Sequence, residues 1–169
     1  RKSARPWSSR SIDVGYRAWF PEPWLGLKAT AKGEIGARAA EICSQHGWLN
    51  DIDTGSASTH SGLKWLEFLG DCRVTVGMEG GSSIADRDGS IRLASQAGHP
   101  VPPGRDGEID LFCLSPRHLE AAATQTVQVL VRGHYSGVLV ADRHYIPVNP
   151  DLSDLADALH ASRDERLAR

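Results

Sequence analysis

Leu114-Ser115-Pro116-Arg117-His118-Leu119-Glu120-Ala121-Ala122-Ala123 leads, after Thr124-Gln125-Thr126, into Val127-Gln128-Val129-Leu130-Val131. The first stretch reads as a helix. Ser115 suits the N-cap, Pro116 suits a first helical position that needs no N–H, and the alanines propagate the turn. The second reads as a strand, because it is short, apolar and rich in β-branched residues. The start of the helix also carries chemistry. Its first N–H groups have no helical acceptor, Arg117 stands among them, and Glu120 lies one turn further on. Free N–H groups with a guanidinium suit a phosphate, and a carboxylate suits a pair of sugar hydroxyls. The alternative is an ordinary capped helix in which Arg117 and Glu120 pair at i,i+3. Both readings stand open on this stretch alone.

Outward from this unit the same alternation repeats. Ile12-Asp13-Val14-Gly15-Tyr16, ending at Arg17, is a strand, and Pro21 and Pro23 forbid regular structure just after it. Leu25 to His46 is helical, with Leu27, Ile35, Ala39 and Ile42 near one face and Gly47 as the stop. Leu49 to Asp53 is a second strand, Gly62 to Gly70 a second helix, and Arg73-Val74-Thr75-Val76-Gly77-Met78 a third strand. Glu79 to Glu108, dense in Gly, Ser, Asp and Pro, reads as a loop, long enough that part of it should be functional or mobile. Ile109 to Leu114 is a short apolar segment feeding the Ser115 helix. His144 to Val148 follows the turn bracketed by Gly133 and Gly137, and Asp151 or Ser153 caps a last helix to Ser162. Apolar strands alternating with helices predict an α/β domain: a Rossmann-like parallel sheet with helices on both faces, over residues 12–162. Residues 1–11 read as a linker or the end of a preceding domain, and 163–169 as a charged, solvated tail. Ligands of such sheets sit beyond the carboxyl ends of the strands. Arg17, Asp53, Glu79-Gly80-Gly81 and Arg132-Gly133 all follow strand ends, so they should gather at one rim with the Ser115 helix start.

Composition narrows the partners. The 169 residues suffice for one domain with a real core, and a net charge of −2 gives no reason to expect nucleic acid. No apolar run approaches the ~18 residues of a membrane span, and no signal-peptide core is present at the N-terminus. Cys43, Cys72 and Cys113 lack metal-ligand spacing and are odd in number, which points to reduced thiols in the cytoplasm. The start at Arg1 and the single methionine, Met78, suggest a piece of a longer protein. Asp86-Arg87-Asp88 has the spacing of a metal–diphosphate clamp, but Asp88-Gly89 reads better as a turn tip. The seven histidines form no His-X-X-X-His or His-Glu pattern, and His134 and His144 are the two nearest the proposed rim. Trp19 and Trp24 flank the loop after Arg17, where they suit a base, a sugar or a partner domain, while Trp48 and Trp65 read as core.

Several pieces occur in order: Val14-Gly15-Tyr16-Arg17, Lys32-Gly33-Glu34-Ile35-Gly36, Gly77-Met78-Glu79-Gly80-Gly81-Ser82-Ser83 with Asp86-Arg87-Asp88-Gly89-Ser90, Ser115 to Ala122, Gly133-His134-Tyr135-Ser136 and Arg143-His144-Tyr145-Ile146-Pro147. The set, from about Asp13 to Leu159, resembles the C-terminal half of bacterial GT-B fold glycosyltransferases, nearest the CgeB-like group. That resemblance implies the nucleotide-sugar donor-binding domain of a two-domain enzyme that works in the cytoplasm or at the inner membrane face. An N-terminal acceptor domain is then its partner, and no divalent metal or other cofactor is needed. By position, Arg17 and Lys32 match the basic pair that contacts the donor diphosphate. Ser115 and Arg117 stand near the phosphates, and Glu120 matches the carboxylate that binds the ribose. Arg17, Lys32 and Arg117 would stabilise the charge growing on the departing diphosphate. Glu79, Gly80, Gly81 and Ser82 would contact the donor sugar, with His134 and Tyr135 also on the donor. The chain departs from the pattern at Phe112, where many members carry a second glutamate, and in a short Leu93–Gly107 segment. A non-catalytic module binding a nucleotide or phosphosugar is the alternative reading.

Overall fold

The alternation read from the sequence folds as an α/β domain with a Rossmann-like sheet. The computed structural model describes residues 4–19, 22–55 and 59–168. Pro21, residues 1–3 of the expected linker and Arg169 of the expected tail therefore lie outside the described residues. In chain order the elements are β1 (Ile12–Arg17), α1 (Leu27–His46), β2 (Asn50–Asp53), α2 (Gly62–Asp71), β3 (Cys72–Gly77), β4 (Gly80–Ser82), α3 (Ser90–Gln96), β5 (Leu111–Cys113), α4 (Pro116–Ala123), β6 (Val127–Val131), β7 (Ile146–Val148) and α5 (Leu155–Ala161). Five strands form one parallel sheet in the order β2-β1-β3-β6-β7.

Helices cover both faces. Val14, Val74, Val76 and Val129 of the sheet pack against Ile35, Ala39 and Ile42 of α1 and Leu155 and Leu159 of α5. On the other face, Trp65, Phe68 and Leu69 of α2 cluster with Ala121 of α4. Each large aliphatic side chain buried in this way contributes ~1.5–3 kcal/mol. Gly15 permits the second packing: a Cβ there would lie 2.1 Å from Cys72 Sγ and 2.9 Å from the Phe68 ring. Gly47, left-handed at φ 65°, ends α1, and the Trp48 N–H turns back to the Cys43 carbonyl at 2.9 Å.

Two regions differ from the sequence expectation. The 79–108 loop holds β4 and α3, and β4 pairs antiparallel with β5 outside the main sheet. Neither shows an apolar period. β4 is Gly-Gly-Ser, and α3 buries one residue, Ile91, while Asp86 accepts the Ile91 and Arg92 N–H groups at its start. The segment read as a linker is packed: Arg10 is buried and donates to the carbonyls of Arg5, Cys72 and Thr124. The charged tail is exposed at Arg163, Glu165, Arg166 and Leu167, as read, and Arg163 also pairs with Asp13 at 3.1 Å and lies 4.7 Å from the Trp48 ring centre.

Candidate anion-binding cleft

The chain leaves β1 toward β2 on one side and returns to β3 on the other, so connections diverge between β1 and β3. A crevice opens at such a switch point, beyond the carboxyl ends of the two strands. A cleft of about 350 Å³ lies there, lined by Tyr16 and Arg17 at the end of β1 with Ala18 and Trp19 after it, Thr75 to Gly77 of β3 with Met78 after it, Lys32 of α1, Gly80 and Gly81 of β4, and the start of α4. Its charged lining residues are cations, Arg17, Lys32 and Arg117, and among the described residues no carboxylate lines it.

Each cation is held differently. Arg17 is buried; it pairs with Asp51 at 2.5 Å and donates to the Asp51 carbonyl at 2.6 Å. Its Nε is buried with no hydrogen-bond partner. Such a donor costs ~1–3 kcal/mol if left unsatisfied. Arg117 donates to the Arg17 carbonyl, which ties the start of α4 to the end of β1. Its guanidinium lies 4.7 Å from the Trp65 ring centre, Trp65 stacks on Phe68 at 5.6 Å, and Arg17 lies 4.7 Å from Phe68. Two guanidiniums are thereby mounted on one pair of stacked rings, which restricts their rotamers. Lys32 has no carboxylate within ion-pair distance among the described residues. Burial, then the nearby Arg117, pull its pKa below the ordinary lysine value. Both effects disfavour the ammonium, and an anion in the cleft would offset both.

The start of α4 departs from the expected cap. Ser115 occupies the N-cap position with extended backbone, φ −77° and ψ 142°, but its hydroxyl makes no capping hydrogen bond. Pro116 has no N–H and the His118 N–H donates to the Ser115 carbonyl at 3.0 Å, so among the described residues the Ser115 hydroxyl and the Arg117 N–H are what the helix start offers a ligand. His118 forms the floor. Its Nε2 lies 3.2 Å from the Met78 carbonyl oxygen and its Nδ1 3.1 Å from Gln128 Oε1. Both partners are oxygens that only accept, so each contact calls on a ring N–H, and only the imidazolium carries two. Burial pushes the His118 pKa down, against the Gln128 and Met78 oxygens, which favour the charged ring. The Tyr16 phenol, raised in pKa mainly by burial, makes no hydrogen bond among the described residues.

Of the residues read from the sequence, Arg17, Lys32, Arg117, Ser115, Gly80 and Gly81 come together in this cleft. The others do not line it. Glu79 is buried beneath, accepting the Tyr135 N–H at 2.6 Å and the Lys28 ammonium at 3.2 Å. Gly133 leaves it room, because a Cβ there would lie 2.4 Å from its carboxylate. Tyr135 is a core residue whose hydroxyl donates to the Val131 carbonyl, and His134 is exposed beside it. The Ser82 hydroxyl is engaged by the Leu25 and Ile84 backbone. Glu120 pairs neither with Arg117 nor into the cleft; it accepts the Trp65 indole N–H at 2.6 Å. The i,i+3 pair is replaced by the indole, which takes Arg117 on its face and Glu120 at its edge.

Asp86 and Asp88 accept backbone N–H groups around the start of α3, the turn use of that motif. Among the described residues no group of three or more His, Cys, Asp and Glu side chains converges to hold a metal. Sequence reasoning missed Tyr16, Trp65, His118 and Gln128 as lining residues. Trp65 was assigned to the core and is indeed buried, yet its edge reaches the cleft. Among the described residues no helix is long and apolar enough to cross a membrane. No family model matches the chain, and no curated protein or solved structure is significantly similar to it.

Proposed function

We propose that the cleft binds the diphosphate of a nucleotide-linked sugar, and that the chain is the donor-binding half of a glycosyltransferase completed by an N-terminal acceptor domain. The observation that carries this reading is the cation set. Arg17, Lys32 and Arg117 line one crevice at the switch point without a carboxylate, beside the uncapped start of α4. A departing diphosphate gains negative charge as the bond to the sugar breaks. Fixed guanidiniums and an ammonium at that place stabilise the transition state more than the ground state. Burial and Arg117 disfavour the Lys32 ammonium, and an anion in the cleft offsets both. The general base for the acceptor belongs, on this reading, to the other domain.

One observation favours the simpler module. Glu79 and Glu120, the carboxylates assigned to sugar and ribose hydroxyls, are both engaged by protein donors. A phosphate-bearing ligand of looser sugar specificity fits that arrangement, with binding and no transfer. Titration calorimetry against UDP-, GDP-, ADP-, CMP- and dTDP-linked sugars, with inorganic pyrophosphate alongside, separates the readings. A preference of tenfold or more for one nucleotide-sugar over pyrophosphate supports the donor domain. Equal affinity for all of them supports the module, and no binding at millimolar ligand by folded protein removes both.

A further inference from the structure

A second cluster lies on the α1–α5 face, where the sequence places its members 114 positions apart. His46 ends α1, His160 lies in the last turn of α5, and their Nε2 atoms are 3.2 Å apart. Trp48 holds both rings: it stacks on His46 at 5.0 Å and meets His160 edge-on at 4.8 Å. The two imidazoles themselves meet at 85° with centroids 4.4 Å apart. Both are exposed, and neither Nε2 has another partner among the described residues.

We propose that His46 and His160 form a bidentate site for a late first-row divalent metal ion such as Zn²⁺, with water completing the coordination. With metal–nitrogen bonds of ~2.05 Å, this separation subtends ~100° at the ion, between the octahedral and tetrahedral angles. The rings are already placed, so little rotamer freedom is lost on binding. The carbonyl end of the 20-residue helix α1 adds a favourable negative potential. The neighbouring cation, Arg163, is directed elsewhere, onto Asp13 and the face of Trp48. A bound ion clamps the end of α5 onto the end of α1. This inference is independent of the anion cleft.

The test is calorimetric titration of the full chain with Zn²⁺, with thermal unfolding in parallel. The expected result is saturable 1:1 binding in the micromolar range, with Tm raised by ~5 °C at a hundredfold excess over Kd and restored by EDTA. His46→Ala and His160→Ala should each weaken binding at least tenfold while keeping the wild-type Tm in EDTA. His46→Gln serves the same purpose with less loss of the Trp48 stack. The double variant His134→Ala/His144→Ala should bind as the wild type does. Absence of saturable binding below millimolar Zn²⁺, or binding unchanged in His46→Gln, would overturn the site.

Discussion

The two ends of the parallel sheet treat polar groups in opposite ways. At the amino ends of the strands the buried Arg10 and Asp13 are both answered. Arg10 fills the carbonyls of Arg5, Cys72 and Thr124 and touches Thr126 Oγ1 at 3.3 Å. Asp13 holds Arg73 at 2.6 Å, Arg163 at 3.1 Å and the Leu49 N–H at 2.9 Å. At the carboxyl ends the cations outnumber their partners. Lys32 faces no carboxylate, Arg17 keeps an orphaned Nε, and the Ser115 hydroxyl caps nothing. The same fold, built from one sequence, thus spends its charges on stability at one end, while at the other Arg17 is paired with Asp51 and Lys32 is left without a carboxylate among the described residues. Uncompensated buried donors of one sign are retained where a ligand supplies the missing partner.

The contrast breaks first at Arg10. Arg10→Ala leaves buried carbonyls without donors, so it should cost ~3 kcal/mol in denaturant unfolding while pyrophosphate affinity of the folded fraction stays unchanged. A comparable affinity loss would mean that the two ends are not separable. Asp13 comes next, at ~2 kcal/mol for Asp13→Asn near neutral pH. Burial alone would raise its pKa, yet the Leu49 N–H and the Arg73 and Arg163 guanidiniums hold it below the usual carboxylate range. The folded-state value is therefore depressed. Its stabilisation is present above the ordinary carboxylate pKa and is lost as pH falls through the lower folded value. In the variant, stability should fall less steeply on acidification below about pH 4. An unchanged acid limb would remove Asp13 from the account.

At the other end the expected ordering is reversed. Arg117→Ala should cost under ~1 kcal/mol of stability but weaken pyrophosphate binding ~10–30-fold, about 1.4–2 kcal/mol. The bare nucleoside presents no such charge, so its affinity should hold; equal losses would mean that Arg117 only shapes the helix. Glu120 sharpens the point with the smallest effect. If it acts by holding the Trp65 indole, Glu120→Gln still accepts that N–H, and affinity for a nucleoside diphosphate should change less than about twofold. If it binds ribose hydroxyls, the same change should weaken nucleoside and diphosphate alike by about tenfold.

Much of this was legible in the sequence where period and composition agree. Val74 and Val76 in one strand, Val127, Val129 and Val131 in another, and Ile35, Ala39 and Ile42 on a helix face all lie in the core, whereas Leu27, read on the same face, is exposed at the first residue of α1. Strand ends then located the rim, because a parallel sheet puts its carboxyl ends together whatever the side chains. What could not be read was the fate of individual polar groups. Glu79 and Glu120 look alike in the chain as carboxylates near the rim, yet one is claimed by the Tyr135 N–H and the other by the Trp65 indole, 56 and 55 positions away. Such claims are set by packing across the domain, which no local pattern encodes. The short elements β4 and α3 were hidden for a related reason: pairing with β5 and the Asp86 carboxylate hold them, and apolar periodicity does not.

Lys32 tests the central contrast most directly. Its ammonium is disfavoured by burial and by Arg117, so Lys32→Met should relieve the folded state of a cost while deleting an anion contact. The measurement is thermal unfolding and pyrophosphate calorimetry on the same samples at neutral pH. The expected result is a Tm equal to or above that of the wild type, with affinity lowered about tenfold, or ~1.4 kcal/mol. A Tm lowered as far as in Arg10→Ala, with affinity unchanged, would contradict the assignment of the carboxyl-end cations to a ligand.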